Sequence, residues 1–175
     1  GALISVALNL APNPYAAYEI MTWLLGSLAD RSWSHVLLVL PFIAVGCGML
    51  AFTGRALDAL SLGEAQAQSL GINLNRLRLL VVLGTALSVG AVTSVTGVIG
   101  FIGLVAPHLV RPFARHQPGR SLLPASLLGA LLLLAADIAT RLAYVEPELK
   151  LGVFTSLIGA PFFFWLVLRL RKTSP

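Results

Sequence analysis

Charge is scarce in this chain. Only 11% of its 175 residues are charged and 57% are hydrophobic, whereas soluble domains carry about 25% charged residues. That excludes an ordinary water-soluble domain, and a mean hydropathy of +0.88 marks an integral membrane protein. Cysteine is nearly absent. Cys47 stands alone in an apolar run, which excludes an internal disulfide and argues against a cysteine-based metal site. His35, His108 and His116 have no metal-ligand spacing among themselves or with carboxylates, so neither metal nor cofactor is expected. Lysine occurs only as Lys150 and Lys172, and neither follows a glycine. A Gly-x-x-x-x-Gly-Lys phosphate loop is therefore missing, and the chain does not cradle ATP phosphates by that device. No Gly-x-Ser-x-Gly elbow occurs either. The net charge of +5 does not point to nucleic acid, because the cations sit between apolar runs, where membrane topology accounts for them.

What is present centres on GVIGFIGLVAPHLVR, residues 97–111. Gly97, Gly100 and Gly103 recur at three-residue spacing, and Pro107, His108 and Arg111 follow. Glycine permits backbone angles that other residues avoid. Proline withholds an amide donor and disfavours helix at the preceding residue. The stretch reads as a broken segment, a glycine-rich turn at membrane depth followed by a short helix ending at a cation. Irregular backbone survives at that depth only inside protein or beside a watery cavity, and transporters use such breaks at their working parts. A glycine-softened packing helix is the plainer reading, and this stretch alone does not separate the two.

Elsewhere the chain alternates apolar runs with polar breaks. Residues 1–10 are apolar but too short to span a bilayer, which takes about 20 residues. They are expected to be the end of a longer helix, with the N-terminal part of the protein missing. A breaker cluster of Asn9, Pro12, Asn13 and Pro14 precedes an interfacial helix near 15–28. Spans are expected at 36–52, 77–98, 122–142 and 151–170, with a short helix at 104–113. Pro118-Gly119 reads as a turn. Between the first two spans, Ser61-Leu62-Gly63-Glu64 matches a capping box, in which the serine and glutamate side chains each accept from the other's amide. Gly71 can then end the helix in a left-handed cap. That places a helix at about 62–70 within a polar segment, 57–75, as a plain connector or a docking element for a soluble partner. The fold class expected is an all-α polytopic bundle with one broken or short helix.

Charge assigns the sides. Arg55, Arg76, Arg78, Arg111, Arg115, Arg120, Arg169, Arg171 and Lys172 fall in loops of one face, against Arg31, Arg141 and Lys150 on the other. The positive-inside rule makes the cation-rich face cytoplasmic. The helix at 62–70 is then cytoplasmic and the 137–150 end faces outward. Asp137 and His108 fall at opposite faces, against an intramembrane hydrolase. Asp137 and Arg141 are spaced i, i+4 with the acid first, a favourable helical ion pair. Such a pair either lowers the cost of charge near an interface or offers an arginine to an acidic partner.

Four stretches together resemble the permease subunits of type II ABC importers for iron-siderophore, haem and cobalamin, the FecCD/BtuC-type family. They are LSLGEAQAQSLG (60–71), GVIGFIGLVAPHLVR (97–111), LLPASLLGALLLLAADIATR (122–141) and GVFTSLIGAPFFFWLV (152–167). The resemblance implies the C-terminal half of a subunit with about ten spans, in the bacterial inner membrane. It implies a second permease subunit, two cytoplasmic ATPase subunits and a periplasmic substrate-binding protein as partners. It makes the segment with Ser61, Leu62, Gly63, Glu64, Ala67, Leu70 and Gly71 the coupling element toward the ATPase. Arg141, oriented by Asp137, would grip an acidic residue of the binding protein. Ser156 and Gly159 would border the translocation path. Two positions depart from the family pattern: Lys150 stands where proline is usual, and 116–120 replaces an Asp-His-Arg-like run. A secondary transporter with broken helices is the alternative class, though no span carries a central acid for ion coupling. A purely structural subunit would not need the capped polar helix.

Overall fold

A computed structural model describes residues 2–114, 117–142 and 150–172. The described residues are all-helical apart from their connections, in the order α1 (Ala2–Asn9), α2 (Pro14–Leu25), α3 (Trp33–Ala51), α4 (Gly54–Leu60), α5 (Glu64–Ser69), α6 (Leu74–Thr96), α7 (Ile102–Val110), α8 (Pro118–Leu142) and α9 (Leu151–Lys172). Arg115 and His116, which figure in a loop expected from sequence, lie outside the described residues, as do 143–149 of the outward-facing end.

Helices α3, α6 and α8 are each long and apolar enough to cross a membrane, while the apolar part of α9, Leu151–Leu166, is shorter. Local chemistry sets their ends. Asn13 Oδ1 accepts from the Ala16 amide at 2.8 Å and Asn73 Oδ1 from the Arg76 amide at 3.0 Å, so asparagine caps both α2 and α6. At the start of α3 the Ser32 amide donates to His35 Nδ1 at 3.2 Å, a side chain reaching back from the third helical position. Pro118 opens α8. That corrects the turn expected at Pro118-Gly119. Proline at the first helical position loses an amide that would have no partner there anyway.

The most extensive helix pairing is α3 against α6. Gly46, the buried residue of α3, faces Gly84 of α6. A Cβ on Gly46 would lie 2.6 Å from the Gly84 carbonyl oxygen. Small residues let helix backbones approach where no hydrophobic drive joins them. The buried hydrophobic set is small and alanine-rich, with Ala67, Ala106, Ala114 and Ala136 beside Leu74, Leu77, Val110, Leu151 and Leu166. Leu37, Leu38, Val82, Leu127 and Leu131 are more than half exposed. So large an apolar surface fits lipid or apolar partner helices, not water.

Candidate functional site: a glycine junction, a two-helix turn and an arginine at a span end

Helix α6 stops at Thr96, and residues 97–101 carry no helix before α7. Gly97 takes φ +73°, and a Cβ there would run into the Trp23 carbonyl oxygen. Gly26 takes φ +60°, and its Cβ would meet the Val98 carbonyl. A Cβ on Gly152 would meet the Leu25 and Val98 carbonyls. Backbone bonds join the three helix ends: Ser27 N–H to Thr96 O at 2.8 Å, Val98 N–H to Trp23 O at 3.2 Å and Gly152 N–H to Gly26 O at 3.3 Å. Helix termini leave backbone groups without intrahelical partners. Here the ends of α2, α6 and α9 satisfy one another, which is what irregular backbone needs away from water. Sequence reading missed Gly26 and Gly152; a glycine at the edge of each apolar run was the available signal.

Only Gly97 of the three spaced glycines has a positive φ. Gly100 and Gly103 have open space where a Cβ would stand, and Gly103 lies within α7. The break closes instead at Phe101, which takes φ +67° as the N-cap of α7, a conformation uncommon outside glycine. Its side chain packs directly on Gly159 of α9, where a Cβ would lie 2.8 Å from Phe101 Cδ1. Gly159 is thus buried beneath Phe101, and Ser156 one turn earlier is half-buried. Pro107 stands inside α7, within the short helix expected at 104–113. Ala106 before it is helical and only 2% exposed. The missing amide falls opposite Gly103, at the second residue of a nine-residue helix, so only one rung near its start is lost. His108 meets Phe162 of α9 edge-on, ring centroids 6.0 Å apart. Arg111 caps the C-terminus of α7 and is exposed. Among the described residues no cluster of His, Cys, Asp or Glu could hold a metal ion.

The polar segment between α3 and α6 holds two short helices. The capping box expected at Ser61 and Glu64 does not form. Ser61 Oγ instead donates to the Asp58 carbonyl at 2.6 Å, closing α4. Gly63, at φ +111°, is the N-cap of α5. The Glu64 carboxylate accepts from Arg78 Nη2 at 3.0 Å, with both side chains exposed. A serine after a helical turn can bond back to a carbonyl three residues earlier, and here that bond wins. Helix α5 therefore starts at Glu64 and not near 62. At its other end Gly71 takes φ +83°. The Gly71 amide donates to Gln68 O at 2.9 Å and the Ile72 amide to Ala67 O at 3.0 Å, the two bonds of a Schellman cap. Ala67 is fully buried, while Leu62 and Leu70 are each 64% exposed. An anchored turn thus presents two leucines outward. Asp58 of α4 accepts from the Gly119 amide of α8, with Oδ1 at 2.7 Å.

At the far end of α8, Arg141 Nε donates to Asp137 Oδ2 at 2.9 Å. The Arg141 side chain is 61% exposed and that of Asp137 only 19%. The acid is sheltered and the cation is presented. The structure brings together the broken segment, Gly159 and the ends of α2 and α9. It keeps the α4–α5 turn and Arg141 at opposite ends of α8, about 33 Å apart along the helix at 1.5 Å per residue.

The model of the FecCD transport family matches residues 1–169. The vitamin B12 import system permease protein BtuC of Vibrio cholerae is 47% identical over 152 residues, covering 86% of this chain and 45% of that protein. The hemin transport system permease protein HmuU of Yersinia pestis is 43% identical over 88% of this chain and 46% of its own length. The Fe(3+) dicitrate permease protein FecC of Escherichia coli is 40% identical over 87% of this chain and 46% of its own. The chain spans about half the length of these curated relatives. A solved structure described as a metal-chelate type ABC transporter in an inward-facing conformation superposes with a TM-score of 0.80 at 30% identity, covering 96% of this chain and 54% of that one.

Proposed function

Because the chain belongs to the FecCD transport family, we propose that it works as part of a permease subunit of an ABC importer, moving iron chelates, haem or cobalamin-like compounds inward across the inner membrane. The family match along nearly the whole chain carries this reading. In it a second permease subunit completes the path, two cytoplasmic ATPase subunits supply the energy and a periplasmic binding protein delivers cargo. No catalytic residue is assigned.

The α4–α5 turn is the coupling element. Leu62 and Leu70 offer apolar contact to an ATPase subunit, while the buried Ala67 seats the turn on its own subunit and the Gly71 cap closes its end. Arg141 is the docking residue. Its guanidinium can engage both oxygens of an acidic side chain, while Asp137 restricts its rotamers. The broken segment from Gly97 through Phe101, with α7 to Arg111, supplies irregular backbone beside the path. Ser156 borders the path directly, and Gly159 acts through Phe101, which packs on it. The iron-chelate and cobalamin branches separate in one experiment: uptake of a ferric siderophore, ferric dicitrate, haem and cobalamin by the full-length subunit with its partners, in a strain lacking its own permease. Accumulation of at least one above the empty-vector level is expected, and accumulation of none would count against the proposal.

A further inference from the structure

Helix α8 begins on a contact that the transport reading does not use. Asp58 Oδ1 accepts from the Gly119 amide at 2.7 Å. Gly119 is the second residue of α8, where an amide has no partner inside its own helix. The carboxylate capping α8 thus comes from another helix, sixty-one residues earlier in the chain. The fit leaves no room for a side chain on Gly119. A Cβ there would lie 2.6 Å from Asp58 Oδ2 and 2.5 Å from the Gly54 carbonyl oxygen. Gly54 and Asp58 stand one turn apart on α4, so the start of α8 rests on one face of α4. Helix α4 in turn runs through Ser61 and Gly63 into α5. A negative charge at a helix N-terminus is also favoured by the helix dipole.

We infer that Asp58 is a positioning residue, a cap that locks the α4–α5 turn to the first turn of α8, so that displacement of the turn is delivered to the span that ends at Asp137 and Arg141. This rests on the coupling role proposed for the turn. Neutral asparagine keeps an acceptor oxygen at the same place and serves as a cap nearly as well as aspartate. Alanine removes the cap and leaves α4 and α8 joined by packing alone.

The test uses the full-length subunit assembled with its ATPase subunits and binding protein in lipid nanodiscs. Spin labels at Gln66 and Arg120, both exposed, report the distance between α5 and the first turn of α8. Stimulation of ATP hydrolysis by the binding protein reports coupling. Asp58→Ala is expected to broaden the distance distribution and cut stimulation about fivefold, the factor that loss of one cap corresponds to. Asp58→Asn should keep the narrow distribution and stay within about twofold of wild type. If Asp58→Ala fails to assemble, Gly119→Ala breaks the same contact from the other side and should give the same two changes. A wild-type distribution with full stimulation in the alanine variants overturns the inference. Leu70→Ser, on the exposed side of the turn, tests the coupling role separately. Should that variant also leave stimulation intact, the coupling role fails, and the distance distribution alone then decides whether Asp58 holds the two helices together.

Discussion

Gly46 offers a sharp test of how this chain is packed. A Cβ at this position would strike Ser88 Oγ, stand 2.6 Å from the Gly84 carbonyl oxygen and 3.0 Å from the Ser88 amide nitrogen. The hydroxyl can move, but the carbonyl belongs to the backbone of α6. Gly46→Ala therefore forces α3 and α6 apart along their most extensive contact. Overpacking of this kind costs about 1–3 kcal/mol. Two of the three close contacts are to backbone, which puts the expected cost near the upper end, about 2–3 kcal/mol. For a chain of this length that corresponds to a melting temperature lower by roughly 5–10 °C. Ser88→Ala removes one contact and leaves the carbonyl. The double variant should regain about 1 kcal/mol, a coupling that only neighbouring sites show. Gly48→Ala is the control, since nothing lies within 4 Å of a Cβ there. It should melt at or slightly above wild type, because alanine favours helix over glycine by about 1 kcal/mol. The assay is thermal unfolding of the purified subunit in detergent, followed by tryptophan fluorescence. If Gly46→Ala melts with Gly48→Ala, or if Ser88→Ala restores it fully, the backbone contact between α3 and α6 is not what limits this interface.

Three further outcomes are expected. Gly97→Ala places a side chain at φ +73° against the Trp23 carbonyl, so it should cost about 2 kcal/mol or more in thermal stability, whereas Gly100→Ala should be close to neutral. Glu64→Ala breaks an ion pair that is about two-thirds exposed on both sides; its melting temperature should stay within roughly 2 °C of wild type, and any loss of ATPase stimulation then reports on the partner interface. For Arg141, binding-protein affinity and uptake should fall from Arg to Lys to Glu, because lysine keeps the charge without the planar fork and glutamate faces a like charge. A reversed charge on the binding protein should partly restore Arg141→Glu, and unchanged affinity in that variant would reduce Arg141 to a partner of Asp137.

Three of the four expected spans correspond to helices long and apolar enough to cross a membrane, α3, α6 and α8, and these were legible in the sequence because long apolar runs have few other uses. The ion pair of Asp137 and Arg141 was legible because i, i+4 spacing fixes neighbours within one helix. The capping box at Ser61 was misread for a physical reason. The Ser-x-x-Glu pattern describes a serine just before a helix, but Ser61 also ends α4, a helix whose mixed sequence, GRALDAL, gives little periodic signal. Once α4 forms, the Asp58 carbonyl lies within reach of Ser61 Oγ and Glu64 turns to Arg78. The break after α6 was legible in its glycines, yet its most strained residue is Phe101. That follows from the close seat on Gly159, fifty-eight residues later, which no local pattern announces. Gly26, Gly97 and Gly152 meet for the same reason: each is conspicuous only when helix ends distant in sequence are brought together. Pro118-Gly119 shows the reverse case, in which a turn-like dipeptide opens a helix because Asp58 supplies the cap.

The proposed role is that of a permease segment in an importer driven by ATP on partner subunits. The most direct measurement is uptake of a radiolabelled chelate into proteoliposomes holding the full-length subunit, its partner permease and its ATPase subunits, with binding protein outside and ATP enclosed. Uptake is expected to require both ATP and binding protein and to be insensitive to collapsing ion gradients. Uptake that proceeds without ATP and stops when a proton or sodium gradient is dissipated would contradict it.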